Sequence, residues 1–166
     1  MRIFLVGFMG SGKTTMGRKL AVYLGYRFID LDKILEDAAG MSIAEFFRRN
    51  GEEDFREFEK RMLQSSTFND NTVVATGGGA PCFFDNMEWM NKNGTTVYLM
   101  VPPKGLVDRL KHSTDRPLIK GLNEEEMLKF IAGKLEEREP FYKQATYVVN
   151  GIGLTAEKLA KNIGLS

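Results

Sequence analysis

The stretch GFMGSGKTT, residues 7–15, limits the possible folds of this chain more than any other part of the sequence. It follows the apolar run Ile3–Val6 and precedes a segment with apolar residues three and four positions apart, so it joins a predicted strand to a predicted helix. Residues 7–14 match the pattern G-x-x-x-x-G-K-[ST]. A tight turn without a ligand is the alternative interpretation. The flanking strand and helix favour a phosphate loop instead. In such a loop, glycines let backbone N–H groups surround a polyphosphate at a helix N-terminus.

Each polar residue of this phosphate loop has an expected role. Lys13 would reach the β- and γ-phosphates, and the Thr14 hydroxyl would ligate Mg²⁺. The predicted ATP contacts within the loop are Gly10, Ser11, Gly12, Lys13, Thr14 and Thr15.

Short apolar runs alternate with helical segments along the rest of the chain, which predicts an α/β fold with a parallel sheet covered on both faces. Ser42 and Asn123 are predicted helix caps, because an acidic residue follows each of them three positions later. At 166 residues, one domain is expected. The candidate strands are residues 2–6, 27–30, 72–76, 95–101 and 146–150.

Composition excludes several classes of function. A net charge of +1 gives no basis for nucleic-acid binding. Cys82 is the only cysteine, so no intramolecular disulfide can form, and His112 is the only histidine, which argues against a Cys/His zinc or nucleophilic site. No run approaches the roughly 20 apolar residues of a membrane span, and no signal peptide is evident. A cytoplasmic monomer without membrane or nucleic-acid partners is expected, with Cys82 as a small buried residue.

A phosphate loop by itself does not identify the acceptor. Guanine-nucleotide switches need an N-K-x-D motif, and residues 91–94 read Asn-Lys-Asn-Gly, without the Asp. The chain is also short for an ATP-driven motor. A small-molecule kinase is therefore favoured.

Two polar clusters follow predicted strands, where ligands of open α/β sheets bind. Asp30 and Asp32 end the second strand and suit an Mg²⁺ shell and an acceptor hydroxyl, although an Asp there could instead cap the next helix. No Asp ends the third strand, so Asp30 is the nearest candidate for the metal-binding carboxylate. Residues 77–79, all glycine, follow that third strand. They provide either open backbone for a substrate or positive φ angles, and the sequence leaves both open.

Three arginines are candidates for binding anionic groups. Arg56 and Glu59 are spaced i, i+3 on a predicted helix, so the carboxylate can orient the guanidinium. Arg138 stands four residues before Tyr142, and Arg116 lies in the irregular segment 112–123, whose closure could bring a cation onto the phosphates. Taken singly, each could be a solvated surface charge.

Taken together, these features resemble the shikimate kinase family, small P-loop kinases related to nucleoside monophosphate kinases. The similarity covers essentially the whole chain, in the order GFMGSGKTT, FIDLD, EDFREFE, TGGGA, DRPL and REPFY. It implies a three-layer α/β/α P-loop NTPase fold with a five-stranded parallel sheet of order 2-3-1-4-5. It also implies a single kinase domain over 1–166, with a substrate-binding helical region at about 32–62 and a lid at about 112–123.

The activity implied by this resemblance is ATP- and Mg²⁺-dependent phosphorylation of the 3-hydroxyl of shikimate, in chorismate and aromatic amino-acid synthesis. Lys13, Asp32 and Arg116 would be catalytic. Asp30 would hold Mg²⁺ through water, and Arg109 would pack on adenine. At the substrate, the resemblance implies that Asp32 holds the acceptor hydroxyls and that Arg56 and Arg138 bind the carboxylate. Glu59 would orient Arg56. The backbone of Gly77, Gly78 and Gly79 would shape the substrate pocket, and Phe47 and Phe55 would line it.

The usual pKa of an Asp, about 3.9, makes Asp32 a weak base for an alcohol, so its expected role is to orient the acceptor hydroxyl. Three alternatives remain: a gluconate kinase, an adenylate-kinase-like enzyme, and a nucleotide-binding regulatory module without turnover. The D-x-D and R-x-P-x-Y motifs argue against gluconate, and the intact Lys13 and Thr14 argue against an inactive relative.

Overall fold

The fold is built on one sheet of five parallel strands in the order β2-β3-β1-β4-β5, as expected. A computed structural model describes residues 1–112 and 119–165. The predicted strands differ from the observed ones by one residue at three ends, at Thr76, Val101 and Thr146. A difference of one residue is usual at the end of an element. The strands are β1 (Arg2–Val6), β2 (Arg27–Asp30), β3 (Thr72–Ala75), β4 (Thr95–Met100) and β5 (Tyr147–Asn150).

Helices connect the strands, and both predicted caps are present. The Ser42 hydroxyl accepts from the Glu45 backbone N–H, and Asn123 forms a capping box with Glu126. Gly51, with φ 82° and ψ 170°, introduces a kink into α3. A short 3₁₀ turn at Ala80–Cys82 follows β3. The helices are α1 (Lys13–Leu24), α2 (Leu31–Ala39), α3 (Ile43–Ser65), α4 (Asn86–Asn93), α5 (Pro103–Leu110), α6 (Glu124–Tyr142) and α7 (Ala156–Asn162).

The central strand β1 is buried on both faces, which makes the fold three-layered. Phe4 and Val6 belong to one apolar cluster, which they share with residues of α4, α5 and α6. Ile3 and Leu5 belong to a second cluster, together with residues of α1 and α7. Consecutive residues of a strand point to opposite faces, so an uninterrupted apolar run is what a doubly covered parallel strand requires.

The sheet register places the functional motifs at one edge. Leu5 of β1 and Asp30 of β2 both lie opposite Ala75 of β3. The segments that follow these three strands are the phosphate loop, the D-x-D motif and the triple glycine, so they emerge side by side. Within residues 1–112 and 119–165, no helix has the length and apolar character needed to cross a bilayer.

Candidate active site

The phosphate loop depends on glycines at particular positions. Gly7, Gly10 and Gly12 have φ values of 150°, 80° and 95°, which residues with a side chain rarely adopt. A Cβ at Gly10 would also lie 2.8 Å from the Leu110 side chain. Helix α1 begins directly after the loop with no side-chain cap and no acidic residue in its first turn. Its first-turn N–H groups and its dipole are therefore suited to an anionic ligand.

Lys13 is folded back over the phosphate loop and is only 8% exposed. Its ammonium donates to the carbonyls of Gly7 at 2.7 Å and Phe8 at 2.9 Å. The buried Ser11 hydroxyl has no hydrogen-bond partner within the part of the chain that the structure describes. A buried hydroxyl is costly unless it is satisfied, so Ser11 fits a loop that is completed by phosphate oxygens.

A cavity of about 570 Å³ opens in front of the phosphate loop. Thr76 and three residues after β5, Gly151, Gly153 and Leu154, also line this cavity, although none of them was predicted to do so. The carboxyl ends of parallel strands share one edge, so the glycines after the last strand were a usable signal. The predicted residues that line the cavity are Gly10, Ser11, Gly12, Lys13, Thr14, Thr15, Asp30, Asp32, Gly77, Gly78 and Arg109.

Arg109 of α5 connects the two sides of this cavity. Its guanidinium donates to the Ser11 carbonyl at 2.9 Å and to the Gly151 carbonyl at 3.1 Å. These bonds place the planar cation between the phosphate loop and the segment after β5, beside the space that a nucleotide would occupy.

Asp30 and Asp32 have different local roles. Asp30 is the N-cap of α2, and its Oδ1 accepts from the Asp32 backbone N–H at 3.1 Å. The helix-cap interpretation therefore holds for Asp30, which nevertheless lines the cavity. Asp32 lies in the first turn of α2 and reaches the triple glycine, since a Cβ at Gly77 would be 2.9 Å from Asp32 Oδ1.

Close approach, rather than unusual backbone angles, explains the triple glycine. None of Gly77, Gly78 and Gly79 has a positive φ, so the sequence alternative based on backbone freedom is wrong. A Cβ at Gly79 would lie 2.5 Å from Nη2 and 2.6 Å from Nη1 of Arg56. The missing side chains leave room for the polar groups packed against this backbone.

Arg56 of α3 is nearly buried, with 8% exposed. Its Nη1 donates to Glu59 Oε1 at 3.0 Å, as the i, i+3 spacing predicted. Its Nε lies 3.6 Å from Glu52 Oε1, too far for a hydrogen bond, and has no hydrogen-bond partner among the described residues. A buried guanidinium with an unused donor is suited to an incoming carboxylate or phosphate.

Aromatic rings surround this guanidinium. Phe47 and Phe55 have ring centres 4.5 Å apart and lie 5.8 Å and 5.3 Å from Arg56 Cζ. Phe83 is closer, at 4.3 Å, although no functional role was predicted for it. Phe83 directly follows the 3₁₀ turn and belongs to no periodic pattern, so no local signal pointed to it.

The second arginine approaches from α6. The Arg138 guanidinium lies 5.5 Å from the ring centre of Phe8, and its Nη1 would be 3.5 Å from a Cβ at Gly78. The Tyr142 hydroxyl donates to the Gly78 carbonyl. The end of α6 is therefore anchored to the triple glycine, which brings Arg138 to the same backbone that Arg56 contacts.

Two expectations concern groups that the structure does not place at the site. Arg116 lies outside the described residues, as does half of the predicted lid, residues 113–118. Across the described ranges, no group of three or more His, Cys, Asp or Glu side chains is arranged to hold a metal ion. The Mg²⁺ contacts of Thr14 and Asp30 therefore stay a prediction.

Comparison with known proteins identifies the family. The sequence model of the family described as shikimate kinase matches residues 9–164. The chain belongs to the shikimate kinase family. A shikimate kinase of Bacteroides fragilis is 50% identical over 149 residues, which cover 89% of this chain and 83% of the relative. One from Parabacteroides distasonis is 48% identical over 161 residues, which cover 95% of this chain and 89% of the relative.

Solved shikimate kinases have the same architecture. The crystal structure of the Bacteroides thetaiotaomicron enzyme has a TM-score of 0.94 and 42% identity, and the match covers 99% of each chain. The Acinetobacter baumannii shikimate kinase, solved in complex with shikimate, has a TM-score of 0.84 and 37% identity, with 98% of this chain and 89% of that chain covered.

Burial dominates the titration of Glu59, the ion-pair partner of Arg56. Glu59 is 1% exposed, and burial raises its pKa to about 7, although Arg56 acts to lower it. The nearby Asp32 carboxylate raises it further. Cys82, the last residue of the 3₁₀ turn, was expected to be buried but is only partly so. Burial raises the pKa of its thiol to about 11, which keeps it protonated.

The raised pKa of Glu59 predicts a pH-dependent stability. Because the folded-state pKa lies above the usual 4.5, the contribution of Glu59 to stability is complete below about pH 4.5 and is lost as pH rises through about 7. The unfolding free energy of the wild type, relative to that of Glu59→Gln, should therefore fall by about 2–3 kcal/mol between pH 5 and pH 8. Urea unfolding of both proteins at each pH measures this difference. A difference that stays constant with pH would contradict the assignment.

Proposed function

We propose that this chain transfers the γ-phosphoryl group of ATP to the 3-hydroxyl of shikimate through the residues described above. One observation carries the proposal. A Cβ at Gly77 would lie 2.9 Å from Asp32 Oδ1, and a Cβ at Gly79 would lie 2.5 Å from Arg56 Nη2. Asp32 and Gly77 also line the cavity in front of the phosphate loop. The Asp32 carboxylate, which is suited to hydroxyl groups, and the Arg56 guanidinium, which is suited to a carboxylate, therefore lie on either side of the triple-glycine backbone, next to the expected site of the phosphate donor. Shikimate carries both kinds of group.

On the donor side, the phosphate loop would hold ATP. The orphaned Ser11 hydroxyl, the uncapped N-terminus of α1 and the ammonium of Lys13 are all suited to phosphate oxygens. Mg²⁺, held by Thr14 and through water by Asp30, would supply charge neutralisation at the transferring phosphoryl group. Arg109 would pack on the adenine from its place between Ser11 and Gly151.

On the acceptor side, Arg56 and Arg138 would bind the substrate carboxylate. The unused Nε donor of Arg56 supports this role, because a bound carboxylate would satisfy it. Glu59 would keep the guanidinium oriented, and Phe47 and Phe55 would line the pocket. The glycine backbone of residues 77–79 would leave room for the ring of the substrate.

Positioning and charge would supply most of the catalysis. The transition state of phosphoryl transfer is loose, so early deprotonation of the acceptor matters little. Asp32 would orient the hydroxyl for in-line attack and accept its proton late. Lys13 and Arg116, the latter through closure of the lid, would stabilise negative charge on the transferring oxygens.

The wider organisation follows from the same proposal. The chain would act as one kinase domain over 1–166, with the phosphate loop at 7–15, the substrate-binding region at about 32–62 and the lid at about 112–123. A cytoplasmic monomer is proposed, without nucleic-acid partners, because the chain has one cysteine and a net charge of only +1.

An assay of ADP release tests the proposed function. The purified chain is incubated with ATP and Mg²⁺ and offered shikimate, gluconate or AMP in separate reactions. ADP release that depends on shikimate is expected, together with a product phosphorylated at one hydroxyl. Release that depends on gluconate or AMP but not on shikimate would overturn the proposal, as would no release with any acceptor.

The triple glycine provides a sharper test. Gly79→Ala should raise the KM for shikimate by at least about tenfold, because its Cβ would displace the Arg56 guanidinium from the backbone. Gly133→Ala is the matched control, since no atom would lie within 4 Å of its Cβ. The control should keep its KM and gain slightly in stability. A normal shikimate KM in Gly79→Ala would argue against this geometry.

A further inference from the structure

The ring of Phe83, a residue outside every sequence motif described above, covers the face of the Arg56 guanidinium. Phe83 has its ring centre 4.3 Å from Arg56 Cζ, the shortest distance between a cation and an aromatic ring among the described residues. Glu59 takes one edge of the same guanidinium, at Nη1. Glu52 Oε1 also lies 3.6 Å from Nε of this guanidinium. Ion pairs at its edges leave a guanidinium free to tilt out of its plane, whereas a ring on its face limits this movement.

The chain reaches this position through an unusual backbone. Phe83 is extended, with φ −121° and ψ 144°, and Phe84 has φ 52°, in the left-handed region that bulky residues rarely adopt. The Phe84 side chain is 55% exposed, so its own burial does not account for this conformation. Strained residues persist where the surrounding structure determines them, and they concentrate at functional sites.

Hydrogen bonds hold both ends of this turn in place. The fully buried Asn86 donates through Nδ2 to the Ala80 carbonyl at 2.9 Å, and its backbone N–H donates to the Phe83 carbonyl at 3.3 Å. At the other end, the Cys82 N–H donates to the Gly79 carbonyl at 3.0 Å. The segment that carries Phe83 is thus tied to the triple glycine, which itself contacts Arg56.

We propose that Phe83 is a positioning residue that sets the orientation of the Arg56 guanidinium for the substrate carboxylate. The inference rests on the proposed function, since it takes Arg56 as the carboxylate-binding group. With Phe83 on its face and Glu59 at Nη1, the guanidinium is held in an orientation in which its Nε, 3.6 Å from Glu52 Oε1, still has no hydrogen-bond acceptor among the described residues. Phe83 acts before the substrate binds, because it reduces the number of orientations that the Arg56 guanidinium can adopt. Less ordering of this side chain is then needed on binding.

Substitution of the ring tests this inference. Phe83→Leu keeps an apolar side chain but removes the aromatic face, and the KM for shikimate should rise about three- to thirtyfold, with kcat and the KM for ATP within twofold of wild type. Phe83→Tyr retains the face and should retain the wild-type KM, because Phe83 is partly exposed and leaves room for a hydroxyl. Phe84→Leu is the matched control: the same change one residue further on, where the ring does not lie over Arg56, should leave the shikimate KM unchanged.

A double-mutant cycle separates positioning from other roles. In an Arg56→Lys background the planar guanidinium is absent, so Phe83→Leu should change the shikimate KM by less than twofold. An equal fold-change in both backgrounds would overturn the inference. So would a lower melting temperature of Phe83→Leu with an unchanged shikimate KM, which is the result of a purely structural role. A wild-type chain without shikimate-dependent ADP release would instead refute the proposed function itself.

Discussion

Replacing Lys13 by alanine is expected to lower kcat by at least about two to three orders of magnitude. The ammonium is the one cation that the described structure places inside the phosphate loop, where it is nearly buried and bonded to the Gly7 and Phe8 carbonyls. In a water-excluded site, a preorganised charge stabilises the developing charge of the transition state much more than a surface charge does. Steady-state turnover with saturating ATP and shikimate measures the loss.

Lys13 also stabilises the conformation of the phosphate loop through its bonds to the Gly7 and Phe8 carbonyls, so a second variant is needed to separate the loss of charge from a change in loop structure. Lys13→Met keeps most of the side-chain volume and removes only the charge and its donors, and it should lose a similar factor of kcat. Lys19→Ala, on the exposed side of the same helix, is the control and should keep wild-type turnover. A Lys13→Met enzyme with kcat within threefold of wild type would contradict the assignment.

Arg56→Ala is expected to raise the KM for shikimate by about 10- to 100-fold, because it removes charge-assisted hydrogen bonds to the substrate carboxylate. The KM for ATP should stay near its wild-type value, since Arg56 does not line the cavity in front of the phosphate loop. Arg61→Ala, an exposed arginine of the same helix, should change neither constant. An unchanged shikimate KM in Arg56→Ala would count against the carboxylate role.

The same substitution should also destabilise the fold, because it leaves the buried Glu59 without its ion-pair partner. Breaking a buried pair by removing one member costs about 3–5 kcal/mol, and the raised pKa of Glu59 softens this loss by allowing protonation. The double variant Arg56→Ala/Glu59→Gln should therefore regain stability without regaining affinity for shikimate. Recovery of the shikimate KM in that double variant would show that lost stability, rather than lost binding, was measured for Arg56→Ala.

Features set by neighbouring residues were predictable from the sequence. The phosphate loop is contiguous, the caps at Ser42 and Asn123 act within one turn, and the Arg56–Glu59 pair spans one turn of a helix. Strand positions followed from apolar runs. The order of the strands did not follow from the residues alone. The alternation of strands and helices predicted a parallel sheet, and only the resemblance to shikimate kinases implied the order that the structure confirms.

Features that depend on packing between distant segments were not predictable in this way. The sequence could not decide why residues 77–79 are all glycine. The structure does, because Arg56 and Asp32 arrive against that backbone from two other elements. Gly151 joins the site only because the sheet brings the carboxyl ends of β1 and β5 to the same edge.

The residues 7–15 determined on their own that a polyphosphate could bind, since a loop conformation and a helix N-terminus are local properties of the backbone. Tertiary structure alone decided that Phe83 covers Arg56 and that the pKa of Glu59 lies near 7. A cation–aromatic distance and a desolvated carboxylate both depend on which segments exclude water together, and that is a property of the packed chain rather than of any short stretch of it.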